Sequence, residues 1–174
     1  MNPDRPLPKR LAVLRALQDL LGQISIADGD AFDMVGKVHR NRVLFGAEAT
    51  GKPPMIAIVE GPRPDFAVFA GEENEARADQ WTLLIQGIVA DDRRDGSADD
   101  AYFLCQDVER RLHRMQDLKQ GSGNARYPGT YMLNGMITSV EIAPPVVRPP
   151  EQGVSSNAFF YLPIRLGIAA KIGE

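Results

Sequence analysis

The sequence predicts an α+β fold: a five-stranded sheet, mostly antiparallel with mixed pairing left open, carrying two main helices on one face. Two segments repeat apolar residues at helical spacing, and five others are short, apolar and rich in β-branched residues. Three of these strands follow one another without an intervening helix, and such strands are usually antiparallel neighbours. The predicted order is α-β-β-β-α-β-β, in a single domain of residues 1–174 with long projecting loops.

Two segments have the spacing of amphipathic helices. Residues 10–24 place apolar side chains on one stripe, and the prolines before them suit a helix entrance. Residues 97–115 repeat apolar side chains three and four apart, and Ser97 followed by Asp100 predicts a capping box. The stripes expected to pack on the sheet are Val13, Leu14, Leu17, Leu20, Leu21 and Ile24, then Ala101, Leu104, Cys105, Val108, Leu112 and Met115.

Residues 35–45 and 55–59 are predicted to be the first two strands, paired as a hairpin. The turn between them, GAEATGKP at residues 46–53, is one residue short of the glycine-rich loop that binds nucleotide phosphates. Pro53 stands where that loop needs a hydroxyl, it offers no N–H to a phosphate, and a strand follows instead of a helix. We therefore interpret the segment as a hairpin turn, with nucleotide binding as the alternative.

A small basic band is predicted on the first strand. Arg40 and Arg42 share one face, and Lys37 and His39 share the other, because side chains alternate along a strand. The band lacks the interleaved aromatic residues on which nucleic-acid bases stack. Salt links to acidic groups of another subunit are an equally good interpretation.

The remaining strands are predicted at residues 81–90, 131–142 and 158–169. Residues 81–90 are apolar on both faces, which is typical of a strand in the middle of a sheet. Residues 158–169 have an apolar residue at every second position. Because Pro163 cannot donate to a strand ladder, this last strand is expected to be an edge, or to carry a bulge, at that point.

Two loops, at residues 60–79 and 143–157, are longer than a compact domain needs. The first carries Phe66, Val68 and Phe69, and the second, with four prolines, is predicted to be a stiff extended arm or a hairpin tip. Apolar residues in such an arm favour contact with other subunits. The alternative is that both loops fold back on their own domain.

Composition argues against several classes of function. The net charge of −3 gives no basic field for nucleic acid, and no apolar run is long enough to span a bilayer. One cysteine excludes an internal disulfide and fits a reducing cytoplasm, and together with two histidines it leaves little material for zinc. The aspartates of residues 28–33 depart from a calcium loop, and those of residues 91–100 suit a solvated turn and a helix start. We expect no catalytic residues, cofactor or metal.

The order of elements also resembles a known family. A leading helix and two strands precede WTLLIQGIVADD (81–92), and a capped helix, DDAYFLCQDVERRL (99–112), leads to LNGMITSVEIAPPVVRPPE (133–151) and a final strand, FFYLPIRLGIA (159–169). This series is similar to the tail terminator, or tail completion, proteins of long-tailed bacteriophages. The resemblance extends over nearly the whole chain and depends on element order.

The resemblance implies a non-enzymatic virion protein of the tail or neck, assembled in the host cytoplasm. Such proteins form a homo-oligomeric ring, commonly a hexamer, that caps the tail tube protein, stops tube polymerisation and presents a surface to the head-tail connector protein. DNA passes through the hole without specific binding. The candidate assembly-interface residues are Arg40, Arg42, Phe66 and Phe69. Alternatives are a head-side connector or stopper, a nucleotide-binding protein and a monomeric adaptor.

Overall fold

The computed structural model describes residues 6–40, 52–61, 76–90, 97–151 and 155–171, with the backbone alone for residues 76–79 and 169–171. The elements in these ranges are α1 (Lys9–Gly22), β1 (Val38–Arg40), β2 (Met55–Glu60), β3 (Ala76–Ala90), α2 (Asp99–His113), α3 (Met132–Gly135), β4 (Ser139–Ile142), β5 (Val146–Arg148) and β6 (Asn157–Lys171). A single 3₁₀ turn (Ile26–Asp28) lies between α1 and β1. The predicted α+β class, with two main helices and a mostly antiparallel sheet, is confirmed, and the described residues contain six strands where five were expected.

The strands form one sheet in the order β1-β2-β3-β6-β4. Strand β5 also pairs with β6, and since β3 occupies the other side of β6 along its whole length, β5 lies on the same side as β4. All pairs are antiparallel except β1 and β2, where Val38 lies opposite Ile56 in a parallel register. The hairpin predicted for these two strands was therefore wrong, because parallel strands need a crossover connection rather than a tight turn.

Two further boundaries differ from those predicted. Of residues 35–40 only Val38–Arg40 are strand, and residues 41–45 lie outside the described residues. Strand β3 begins at Ala76 rather than at residue 81, so the end of the predicted long loop belongs to the sheet. Residues 62–75 of that loop lie outside the described residues.

The main core lies between the sheet and its two helices. Both predicted helical stripes are buried in it, as is Cys105, which is 2% exposed. The two helical stripes pack against every second residue of the central strands β3 and β6, because alternate side chains of a strand lie on the same face. These sheet residues are Trp81, Leu83, Ile85 and Val89 of β3, and Ala158, Phe160, Leu162, Ile164, Leu166 and Ile168 of β6.

Helix α2 begins after Ala98, and not directly after the predicted N-cap Ser97. Its N-cap residue is Ala98, whose side chain has no oxygen to cap an N–H group, and not Ser97. Asp99 and Asp100 in the first turn still complement the positive end of the helix dipole. Basic residues in the last turn complement the negative end in the same way.

The strand predicted at residues 131–142 is shorter than expected. Only Ser139–Ile142 pair with β6, and the chain before them forms the irregular turn α3. Met132, Leu133 and Asn134 have positive φ angles of 46°, 49° and 57°, which residues other than glycine rarely adopt. Asn134 and the glycine after it are the residue types that tolerate this conformation best, and this signal was missed in the strand prediction.

Pro163 lies inside β6, which is not an edge strand. Its carbonyl accepts a hydrogen bond from the N–H of Ala143 at 3.0 Å, so its own nitrogen also faces the β4 and β5 side. That position falls in the break between β4 and β5, where Pro144 and Pro145 interrupt the pairing. The missing donor is thus accommodated by an interruption in the neighbouring strand, and not by an edge or a bulge in β6.

In its described parts, residues 143–151 and 155–157, the proline-rich loop forms a hairpin that folds onto its own sheet. Strand β5 pairs with β6 from Val146 opposite Tyr161 to Arg148 opposite Phe159, and a bridge between Glu151 and Ser155 continues the pairing towards the tip. The hairpin interpretation of this loop is therefore correct, and β5 is the sixth strand.

Candidate assembly surface

Arg40 is the one predicted interface residue that the structure describes. It ends β1 opposite Ile58 of β2, is half-buried, and shares the helix-side face with the buried Val38. The outer edge of β1 is covered here by α1, because Gln18 Nε2 donates a hydrogen bond to the carbonyl of Val38 at 2.7 Å. The other three predicted residues, Arg42, Phe66 and Phe69, lie outside the described residues.

A second apolar surface covers the sheet face opposite the helices. We call it the rear face and define it by nine residues in three rows across β2, β3 and β6: Met55, Ile88 and Phe159; Ala57, Gln86 and Tyr161; Val59, Leu84 and Pro163. Residues opposite each other in neighbouring strands lie on the same face of a sheet and contact one another. Seven of the nine are apolar, so the sheet is apolar on both sides although α1 and α2 pack on one.

Along the rows of the rear face that begin at Met55 and Ala57, exposure rises from β2 towards β5. Met55, Ala57 and Ile88 are at most 3% exposed, whereas Phe159 and Tyr161 are half-buried. Val146 of β5, opposite Tyr161, is 49% exposed and extends the apolar surface to the edge of the sheet. Burial raises the pKa of the Tyr161 hydroxyl, and the positive charge of Arg148 partly opposes that rise.

The open edge formed by β4 and β5 is short and interrupted. Strand β4 has four residues and β5 has three, and proline pairs stand between them and after them. Short strands and prolines are features that discourage pairing with further strands at a sheet edge. This edge therefore favours contacts through side chains, such as Val146, over extension of the sheet.

A buried ion-pair network fixes the segment between α1 and β1. Arg111 Nη2 donates to Asp30 Oδ2 at 2.7 Å and to Asp28 Oδ2 at 2.8 Å. The side chains of Arg111 and Asp30 are 2% and 1% exposed, whereas that of Asp28 is 56% exposed. Asp30 also accepts the Ser25 N–H at 2.9 Å and a hydrogen bond from Arg110. Both oxygens of the Asp30 carboxylate therefore accept hydrogen bonds.

Asp107 of α2 completes this network. Its Oδ2 accepts the backbone N–H of Ala31 at 2.7 Å, and its Oδ1 accepts from Arg110 Nη2 at 2.6 Å. Asp33, at the end of the same segment, accepts from Ser25 Oγ and from the Ile26 N–H, each at 2.9 Å. The aspartates of residues 28–33 therefore form the hydrogen-bonded turn expected from the sequence, with arginines of α2 as additional partners.

The network shifts the pKa of two of its members. Burial alone would raise the pKa of Asp30, but the hydrogen bond from Arg111, the Ser25 N–H and the two arginine charges together lower it below 3.8. Burial disfavours the charged form of Arg111, but its hydrogen bonds to Asp28 and Asp30 raise its pKa. Both groups are therefore charged at neutral pH, and the pair ties α2 to the segment before β1.

A groove of about 530 Å³ lies between α2 and the loop that follows it. Its lining is polar and includes Glu109, Arg110, His113, Arg114 and Asp117. The Arg114 guanidinium lies 5.0 Å from the ring centroid of Tyr127, in a cation–π contact.

In the described ranges, no group of three or more His, Cys, Asp or Glu side chains could hold a metal ion. None of the helices described is long and apolar enough to cross a membrane.

Sequence reasoning found part of the rear face. The two-sided apolar pattern of β3 was recognised. In β6, however, only every second residue was interpreted as apolar and facing the core, and the aromatic residues on the other face, Phe159 and Tyr161, were not considered. The consecutive aromatic residues Phe159 to Tyr161, together with MIAIV of β2, were the available signal that the neighbouring strands are also apolar on both sides.

Comparison with models of protein families gave no match, and no curated protein matches the chain significantly.

Proposed function

We propose that the protein is a structural virion protein that forms a ring on a phage tail. In this role it caps the tail tube, stops tube polymerisation and provides the surface for joining the head, as the resemblance of its element order implies. The partly exposed portion of the rear face carries the proposal: on the sheet side opposite the helices, Phe159 and Pro163 are half-buried, and Val146 beside Tyr161 is 49% exposed. An apolar sheet face is normally buried against another layer of structure.

The graded exposure of the rear face fits contact between subunits. Its less buried members are Val59, Leu84, Phe159, Tyr161 and Pro163, and the exposed Val146 of β5 lies beside them. Apolar and aromatic side chains at the centre of an interface contribute most of its binding energy. A stable interface buries on the order of 800 Å² on each partner, so residues around Val146 would complete it. Arg40, which lies on the helix-side face, and Arg42 stay candidates for a separate contact.

The ring form follows from what a terminator must do. A tube grows while each new ring offers the surface that the next one binds, so a terminator must match the tube on one face and differ on the other. A contact between two different surface patches of the same chain gives a closed ring when its rotation closes. The pairing of β5, which carries Val146, with β6 would hold one such patch in a fixed position.

The experiment is assembly of the purified chain and of two variants with a new charge. Sedimentation velocity over a range of concentrations and negative-stain microscopy should show rings of the wild type. Val146→Asp should shift the assembly towards monomer, because a carboxylate desolvated at an apolar contact is strongly unfavourable. Leu118→Asp is the matched control, since Leu118 is 44% exposed but lies in the loop after α2. It should assemble as the wild type does.

A wild type that stays monomeric at every concentration would overturn the proposal. If Val146→Asp forms rings as the wild type does, the rear face is not part of the contact between subunits, although the protein still forms a ring. A head-side connector or stopper would also form a ring, so direct binding to tail tube protein is the result that identifies a terminator. Arg40→Glu and Phe69→Ser test the predicted interface residues: normal assembly of both would exclude them.

A further inference from the structure

No further inference is drawn: the strongest candidate, the polar groove of about 530 Å³ between α2 and the loop that follows it, carries nothing because its arginines already engage Asp30, Asp107 and Tyr127, and no described group there points to a ligand.

Discussion

Arg111 and Asp30 form a buried ion pair, with 2.7 Å between Nη2 and Oδ2, that joins helix α2 to the segment before β1. The two residues are 81 positions apart in the sequence, so their contact depends on the completed fold. Both groups have further partners: Asp30 also accepts from Ser25 and Arg110, and Arg111 also donates to Asp28. The buried Nε of Arg111 makes no hydrogen bond among the described residues. Ions removed from water remain charged in a protein interior when their partners replace the lost hydration in this way.

Removal of the arginine should strongly destabilise the protein. Arg111→Met leaves the buried Asp30 without its main partner, and breaking a buried pair in this way costs about 3 to 5 kcal/mol of unfolding free energy. Urea denaturation measures the effect. Arg126→Met is the control, because Arg126 is 53% exposed and its pair with Asp117 is 3.5 Å long. It should cost less than about 1 kcal/mol. Equal effects of the two substitutions would contradict the assignment of Arg111 as a buried partner.

The contribution of Asp30 should depend on pH in the acid range. Its pKa in the folded protein is lowered from 3.8, so its stabilising effect is fully present above the unfolded value. That effect is lost as the pH falls through the lower, folded pKa. Asp30→Asn should therefore be less stable than the wild type at about pH 6, and the difference should shrink below about pH 4.

The measurement is the urea-unfolding free energy of the wild type and Asp30→Asn at a series of pH values. The comparison isolates Asp30, because the lowered pKa of Asp33 affects both proteins equally. A difference that stayed constant from neutral to acid pH would show that the Asp30 charge does not stabilise the fold.

Gly87 of β3 lies directly opposite Phe160 of β6, and a Cβ at Gly87 would collide with the phenyl ring. Gly87→Ala should therefore destabilise the protein by about 1 to 3 kcal/mol, the usual cost of overpacking a core. The cost should be smaller in a Phe160→Leu background, because the smaller side chain leaves room. A double-mutant cycle measured by urea unfolding gives this coupling.

Gly22→Ala is the control for the Gly87 prediction. Gly22 is the last residue of α1, and a Cβ there meets no atom within 4 Å. Because alanine favours helix over glycine, this substitution should be neutral or stabilising by up to about 1 kcal/mol. A Gly87→Ala variant as stable as Gly22→Ala would mean that Phe160 does not lie across the glycine.

The parts of the fold that were predicted correctly are those with long periodic patterns. Both helical stripes and the alternation of β6 extend over many residues, so each could be predicted from the local sequence alone. The parallel pairing of β1 and β2 could not be predicted, because a strand of three residues does not indicate whether its neighbour runs parallel or antiparallel to it. The left-handed turn at Asn134 was missed because the surrounding apolar residues suggested a continuous strand.

The candidate site was less predictable than the fold. Arg110 and Arg111 lie in the last turn of α2, and their position beside its buried stripe gave no indication of which acids they meet. The rear face needed the register of three strands, which sets Ile88 beside both Met55 and Phe159. Neither relationship is local in sequence, and each follows from how the chain packs.

Cys105 should be unreactive in the folded protein. Its side chain is 2% exposed in the core beneath α2, and burial, with a smaller contribution from the Glu109 charge, raises the pKa of its thiol to about 12. Because the thiolate is the nucleophile, a disulfide reagent at about pH 8 should not label the native chain but should label it fully in denaturant. A chain labelled in denaturant confirms that the thiol is intact. Fast labelling of the native protein would place Cys105 at the surface and contradict the packing of α2 on the sheet.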